Sequence, residues 1–204
     1  MIELENRQIQ LVKAYVSSSQ NELTENLRLA SFELSTNHFT YQLNSILRAS
    51  LETENIENLL TELDNAFTNY QTEEEFTVYR VCNYKEMLRY LESDRYFDLG
   101  YMSTSTNIEN TQAFYQNLSY GYFPALLRIN IPIGTNVLLL DNIDNFENNT
   151  YESEVLIKRK AIFDVVSNTR IETRDYEDWI SRENIEEHQF INYIEMNFNR
   201  YAEH

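Results

Sequence analysis

Residues 54–81 read ENIENLLTELDNAFTNYQTEEEFTVYRV, and a change of period inside this stretch decides the fold. Up to Tyr70 the apolar residues Ile56, Leu59, Leu60, Leu63, Ala66, Phe67 and Tyr70 recur at spacings of three and four. Such spacing lines them up on one side of a helix, so residues 54–70 are predicted to form an amphipathic helix with a single apolar stripe. After the acidic run Glu73-Glu74-Glu75 the pattern becomes Phe76-Thr77-Val78-Tyr79-Arg80-Val81. That run is short and rich in β-branched and aromatic side chains, which predicts a strand.

Toward the N-terminus the chain keeps the helical character. Weaker helical patterns cover residues 4–16, 20–34 and 39–49, and Ser19-Gln20-Asn21-Glu22 has the form of a capping box. Toward the C-terminus β patterns take over. Asn83-Tyr84-Lys85-Glu86 is a second capping pattern that opens a short helix to about Leu91. Tyr101-Met102-Ser103-Thr104-Ser105-Thr106 reads as a strand end, and Thr106-Asn107-Ile108-Glu109 caps one more short helix. Leu127, Ile129 and Ile131 alternate with Arg128 and Asn130, then Pro132-Ile133-Gly134 turns the chain. Residues 137–140, 155–157 and 162–166 are further apolar strand runs, and 141–150 is a polar, Asn-rich loop. Trp179 falls in a polar linker, and residues 190–198 fit a strand or a helix, with an edge strand the favoured reading. Helices followed by many short strands predict an α+β fold: an N-terminal helical layer on a core of two packed, mostly antiparallel sheets. One domain is expected over residues 1–204, helical to about residue 73 and mainly β from 74 onward.

Composition sets limits on function. Aromatic residues make up 13%, with 15 Tyr and 11 Phe, which excludes a disordered chain. Only 3 Gly and 2 Pro are present, so turns must use Asn, Asp and Ser. The net charge of −17 disfavours nucleic acid and anionic membranes as partners. It also sets a demand: an anionic substrate needs local cations. Cys82 is the single cysteine, so no internal disulfide forms. His38, His188 and His204 are scattered, so neither a metal site nor a Cys–His nucleophile is expected. No Gly-rich phosphate loop is present, which argues against a Rossmann site. The N-terminus lacks a basic stretch followed by an apolar run, and no run approaches membrane-spanning length. The expectation is a monomer that is cytoplasmic or delivered into a target cell by a separate system.

Three short clusters carry chemistry: Tyr79-Arg80 at a strand end, Ser103-Thr104-Ser105, and Glu152-Ser153-Glu154 directly before Val155-Leu156-Ile157. Singly, each reads as an ordinary surface charge or a polar strand edge. Together they are complementary. Alternation along a strand would put Glu152 and Glu154 on one side, and like charges that close raise one pKa, which suits acid–base work. Arginine grips phosphate with a two-point fork. Serine and threonine hydroxyls fix the position of a carboxylate.

This ordered set resembles the mono-ADP-ribosyltransferases of the Arg–Ser–Glu class, which includes actin-modifying toxins, small bacterial exoenzymes and vertebrate arginine-specific ectoenzymes. Residues 39–48 resemble the family helix with its Asn-x-x-Leu-Arg pattern, here Asn44, Leu47 and Arg48. Residues 56–81 and 127–134 resemble the following helix, the Tyr-Arg strand and a later core strand with its turn, so the likeness extends over about 37–167. It implies an enzyme that consumes NAD, releases nicotinamide and passes ADP-ribose to a protein side chain without a metal.

The resemblance also implies roles for individual residues. Arg80 would contact the NAD phosphate. Ser103 would orient Glu154, with Thr104 and Ser105 in support. Val81, where the family often has Gly, would offer backbone contacts to nicotinamide. Glu154 would stabilise the positive charge that develops on the ribose. Glu152 would position the acceptor and take its proton; in the family, Glu here goes with arginine acceptors and Gln with others. Tyr151 and Phe146 are candidates for an acceptor-recognising aromatic. Phe114 or Tyr115 could stack on NAD, with core packing the competing expectation. Two rival readings share the same residues: an NAD glycohydrolase with water as acceptor, and a catalytically inactive binding module.

Overall fold

The computed structural model describes residues 2–16, 39–49, 54–68, 70–111, 124–144, 146, 153–172 and 190–202. The apolar stripe of residues 54–70 becomes a helix, and its neighbours in the N-terminal part are helical too: α1 (Asn6–Val16), α2 (Phe39–Arg48) and α3 (Glu54–Ala66). Leu59, Leu60 and Leu63 of α3 are buried with Leu11 and Val12 of α1 and Leu43 and Leu47 of α2. The helix α3 stops four residues early because its last turn tightens: the Phe67 and Thr68 amides bond to the Asp64 and Asn65 carbonyls, three residues back. The predicted helix 20–34, its capping box and Trp179 lie outside the described residues.

The remainder is β1 (Phe76–Asn83), α4 (Tyr84–Leu88), β2 (Leu91–Glu92), β3 (Arg95–Asp98), β4 (Met102–Ser105), β5 (Pro124–Ile131), β6 (Val137–Leu139), β7 (Glu154–Ile157), β8 (Ala161–Glu172) and β9 (Phe190–Tyr201). The strands hydrogen-bond in the order β2-β3-β8-β9-β5-β1-β4-β7-β6. Among the described residues β5 and β9 are the one parallel strand pair. The α+β class therefore holds, and the two expected sheets are two parts of one order.

The two parts meet at β1 and β4, whose register is a single residue pair, Tyr79 with Ser105. Beyond that pair the parts face each other. Val78, Leu127, Ile129, Phe163 and Met196 from one side pack with Met102, Val137, Val155 and Ile157 from the other. Alternation sends Leu138 and Leu156 the opposite way, into the helical layer. The three-stranded part is thus filled on both faces.

Three sequence readings need correction. Residues 190–198 are a strand, but β9 is interior, between β8 and β5. In that interior position Glu195 is satisfied by its neighbours, accepting from Arg128 at 3.0 Å and from Ser167 at 3.1 Å. The helix after Asn83 ends at Leu88, not Leu91. Asn83 does cap it, accepting from the Lys85 amide at 3.0 Å, but a left-handed Ser93 (φ 57) then turns the chain into the β2–β3 hairpin. Where a helix is expected after Thr106, the described residues form a 3-10 turn, Ile108–Thr111, capped one residue later than predicted: Asn107 Oδ1 accepts from the Glu109 amide at 3.0 Å. The predicted turn at Pro132-Ile133-Gly134 is as expected, with Gly134 at φ 81.

Candidate active site

The site grows from the point where the two sheet parts join. Arg80 shares the inner face of β1 with Val78 and Cys82, both of which pack into the core between the two parts. Its Nη1 donates to the Ser103 carbonyl oxygen at 2.5 Å. Ser103 lies on β4, and its hydroxyl donates to Glu154 Oε1 at 2.5 Å. In the β4–β7 ladder Glu154 stands opposite Ser105, so Ser103 is its diagonal neighbour on the same face. A short hydroxyl-to-carboxylate contact of this kind is a strong, charge-assisted hydrogen bond. Glu154 is only 7% exposed, so its charge acts in a poorly screened environment.

Glu154 is the first residue of β7, and the chain reaches it through a strained step. Ser153 has φ 45, unusual for a residue other than glycine, and its carbonyl is held by the Thr106 amide at 3.1 Å. This conformation removes the premise of the alternation argument for Glu152, which requires extended backbone through Ser153. Glu152 itself lies outside the described residues, as do Tyr151, Phe114 and Tyr115. Phe146 packs against the helical layer, with the Lys13 ammonium 5.6 Å from its ring centre, so packing accounts for it.

The other predicted site residues serve the scaffold with their side chains. Thr104 is buried and donates to the Val155 carbonyl at 2.7 Å, stapling β4 to β7. Ser105 Oγ accepts from the Asn107 amide at 3.0 Å and from Asn110 Nδ2 at 3.2 Å, which sets the turn after β4. Val81 turns to the opposite face, where it packs with Leu126 and Ile191.

The helical layer fixes where β4 begins. Asn44 Nδ2 donates to the Tyr101 carbonyl at 3.1 Å and to the Tyr15 hydroxyl at 2.8 Å, while its Oδ1 accepts from the Tyr101 amide at 2.9 Å. A Cβ on Gly100 would stand 2.6 Å from Asn44 Oδ1, so this approach requires glycine. One turn further along α2, Arg48 grips Asp98 with two bonds, Nε to Oδ1 at 3.1 Å and Nη2 to Oδ2 at 3.0 Å. Burial pulls the Arg48 pKa down, but Asp98 outweighs it and the guanidinium is held charged, above its ordinary value. Burial pushes the Tyr15 phenol and the Cys82 thiol each up to about 12, against the opposing pull of Arg80 and Arg48. Cys82 is therefore a neutral thiol without nucleophilic character. The sequence pattern pointed to Arg48 but gave it no partner; Asp98 was missed.

Ser103→Ala removes the hydroxyl that orients Glu154. The NAD cleavage that the resemblance implies, measured as nicotinamide release, is expected to fall by about 10-fold, the usual value of one well-placed hydrogen bond to a charged group.

The model of the ADP-ribosyltransferase exoenzyme family matches residues 12–187. The chain belongs to this family. Solved structures share its fold at low identity. C3stau2 from S. aureus, determined with NAD, has a TM-score of 0.61 at 16% identity over 97% of this chain and 88% of its own. Plx2a, an ADP-ribosyltransferase toxin from Paenibacillus larvae, has a TM-score of 0.59 at 15% identity, again over 97% and 88%. The enzymatic component C2-I of the Clostridium botulinum C2-toxin has a TM-score of 0.64 at 13% identity over 98% of this chain and 44% of its own. A search of curated proteins finds no match. The chain is an NAD-dependent ADP-ribosyltransferase, and NAD is its consumed substrate.

Proposed function

We propose that the protein transfers ADP-ribose from NAD to an arginine side chain of another protein, with Arg80, Ser103 and Glu154 acting on NAD and Glu152 on the acceptor. The observation that carries the NAD side is the chain of contacts from Arg80 through Ser103 to the buried Glu154 carboxylate. When the bond from nicotinamide to ribose breaks, its electron pair leaves with nicotinamide and positive charge develops on the sugar. A carboxylate already in place stabilises that charge without reorganising. The acceptor nitrogen then forms the new bond to ribose and gives up its proton.

The acceptor side rests on Glu152 in the sequence. A carboxylate can pair with a guanidinium and take its proton, whereas an amide can only hydrogen-bond. The net charge of −17 also favours a basic partner surface. Glu152→Gln is therefore expected to lose arginine modification selectively while hydrolysis of NAD by water persists at a substantial fraction of wild type. Nicotinamide release with and without agmatine, an arginine analogue, measures both in wild type and variant. If agmatine never accelerates release and the variant matches wild type, the acceptor is not arginine.

A further inference from the structure

Residues 98–103 form a strap on which the site hangs. Arg48 bonds Asp98 at its start, Asn44 bonds Tyr101 in its middle, and Arg80 bonds the Ser103 carbonyl at its end. Two guanidinium groups are thus tied to one short length of chain. Asp98 is the anchor for one of them, and both of its oxygens are engaged. Oδ1 accepts from Arg48 Nε at 3.1 Å and the Gly100 amide at 2.9 Å, and Oδ2 accepts from Arg48 Nη2 at 3.0 Å and the Tyr96 hydroxyl at 3.1 Å.

The Asp98 side chain is 1% exposed, whereas that of Arg48 is 26% exposed. A guanidinium has five N–H donors in a planar fork, and Asp98 occupies the edge made by Nε and Nη2. The Nη1 end is directed away from that edge. Among the described residues no other group bonds the Arg48 guanidinium.

We infer that Asp98 is a positioning residue for NAD: it holds Arg48 by one edge on the same strap as Arg80, so that the acidic chain presents two fixed cations to the dinucleotide. The inference rests on the reading of Arg80, Ser103 and Glu154 as the NAD site. Tyr96 and the Gly100 amide hold Asp98 in turn, so the Arg48 side chain is oriented before substrate arrives. Preorganisation of this kind lowers the ordering cost of binding. It acts equally on bound NAD and on the transition state, so it appears in KM and leaves kcat in place.

Asp98→Asn keeps the size and removes the charge opposite Arg48. The expected result is a rise of about 10-fold in the KM for NAD and in its Kd by calorimetry, with kcat within about twofold of wild type. Because Asp98 acts through Arg48, combining it with Arg48→Gln should be no worse than Arg48→Gln alone. An unchanged KM, a loss confined to kcat, or fully additive effects in the double variant would overturn the role. If Asp98→Asn does not fold, Tyr96→Phe removes one bond to Asp98 and leaves the ion pair, and a KM raised about two- to threefold is expected; no change there also overturns the role. Failure of the wild-type protein to bind NAD at all would overturn the functional reading instead.

Discussion

Glu154→Gln is expected to reduce both ADP-ribose transfer and NAD hydrolysis by about 100- to 1,000-fold, the usual effect of removing one preorganised electrostatic partner from a transition state. The substitution is close to isosteric. Glutamine still offers Oε1 to the Ser103 hydroxyl, which donates to that atom at 2.5 Å in the native protein. It also keeps the β7 ladder, because the strand pairs through backbone groups. Only the charge is lost, and it is lost where it matters most. At 7% exposure, the carboxylate proposed to act on the developing cation is poorly screened by water. Hydrolysis and transfer share the bond-breaking step, so both must fall together, whereas Glu152→Gln should separate them. Nicotinamide release with and without agmatine, beside a thermal unfolding curve, measures the effect. A folded variant with near wild-type NAD cleavage would remove Glu154 from the mechanism.

The candidate site was largely legible because each part is local. Tyr79-Arg80, Ser103-Thr104-Ser105 and Glu154 each sit in a short run whose period fixes the face of the side chain. Their order along the chain supplied the rest. What was not legible is non-local or conformational. A period of two says which face a residue takes, but not which strand lies beside it. Hence the sequence of β9 does not reveal that it lies between β8 and β5, nor that a single Tyr79–Ser105 pair joins the sheet parts. Asp98 was missed for a similar reason: its partner Arg48 is 50 residues earlier, on a helix whose pattern gives no hint of a carboxylate.

Backbone conformation was the second gap. Ser93, Ser153 and Lys160 all have positive φ, and none is a residue type that announces it. At Ser93 the consequence is an unforeseen hairpin. At Ser153 it is more serious, because strand alternation was the argument that placed Glu152 beside Glu154. The case for Glu152 now stands on the sequence pattern and on the chemistry of an arginine acceptor.

Arg80→Lys is expected to weaken NAD binding by about 10- to 100-fold although it preserves the charge. Arg80 stands on the inner face of β1, opposite Leu127 of β5 and between Val78 and Cys82, and it is half-buried there. Its Nη1 already serves the Ser103 carbonyl at 2.5 Å. A planar guanidinium can hold that carbonyl with one nitrogen and still direct other N–H groups at a phosphate. An ammonium is a single point on a flexible stem and must divide itself between the two. The global field does not change, so the approach of NAD is unaffected and the loss lies in the bound geometry. The predicted signature differs from that of Glu154→Gln: Arg80→Lys raises the Kd and KM for NAD, whereas Glu154→Gln lowers kcat. Calorimetry of NAD binding, with a melting curve to establish folding, tests this directly. Equal affinity in a folded variant would leave Arg80 with only the task of holding the Ser103 carbonyl, and the phosphate would have to be assigned to another cation, with Arg48 the first to examine.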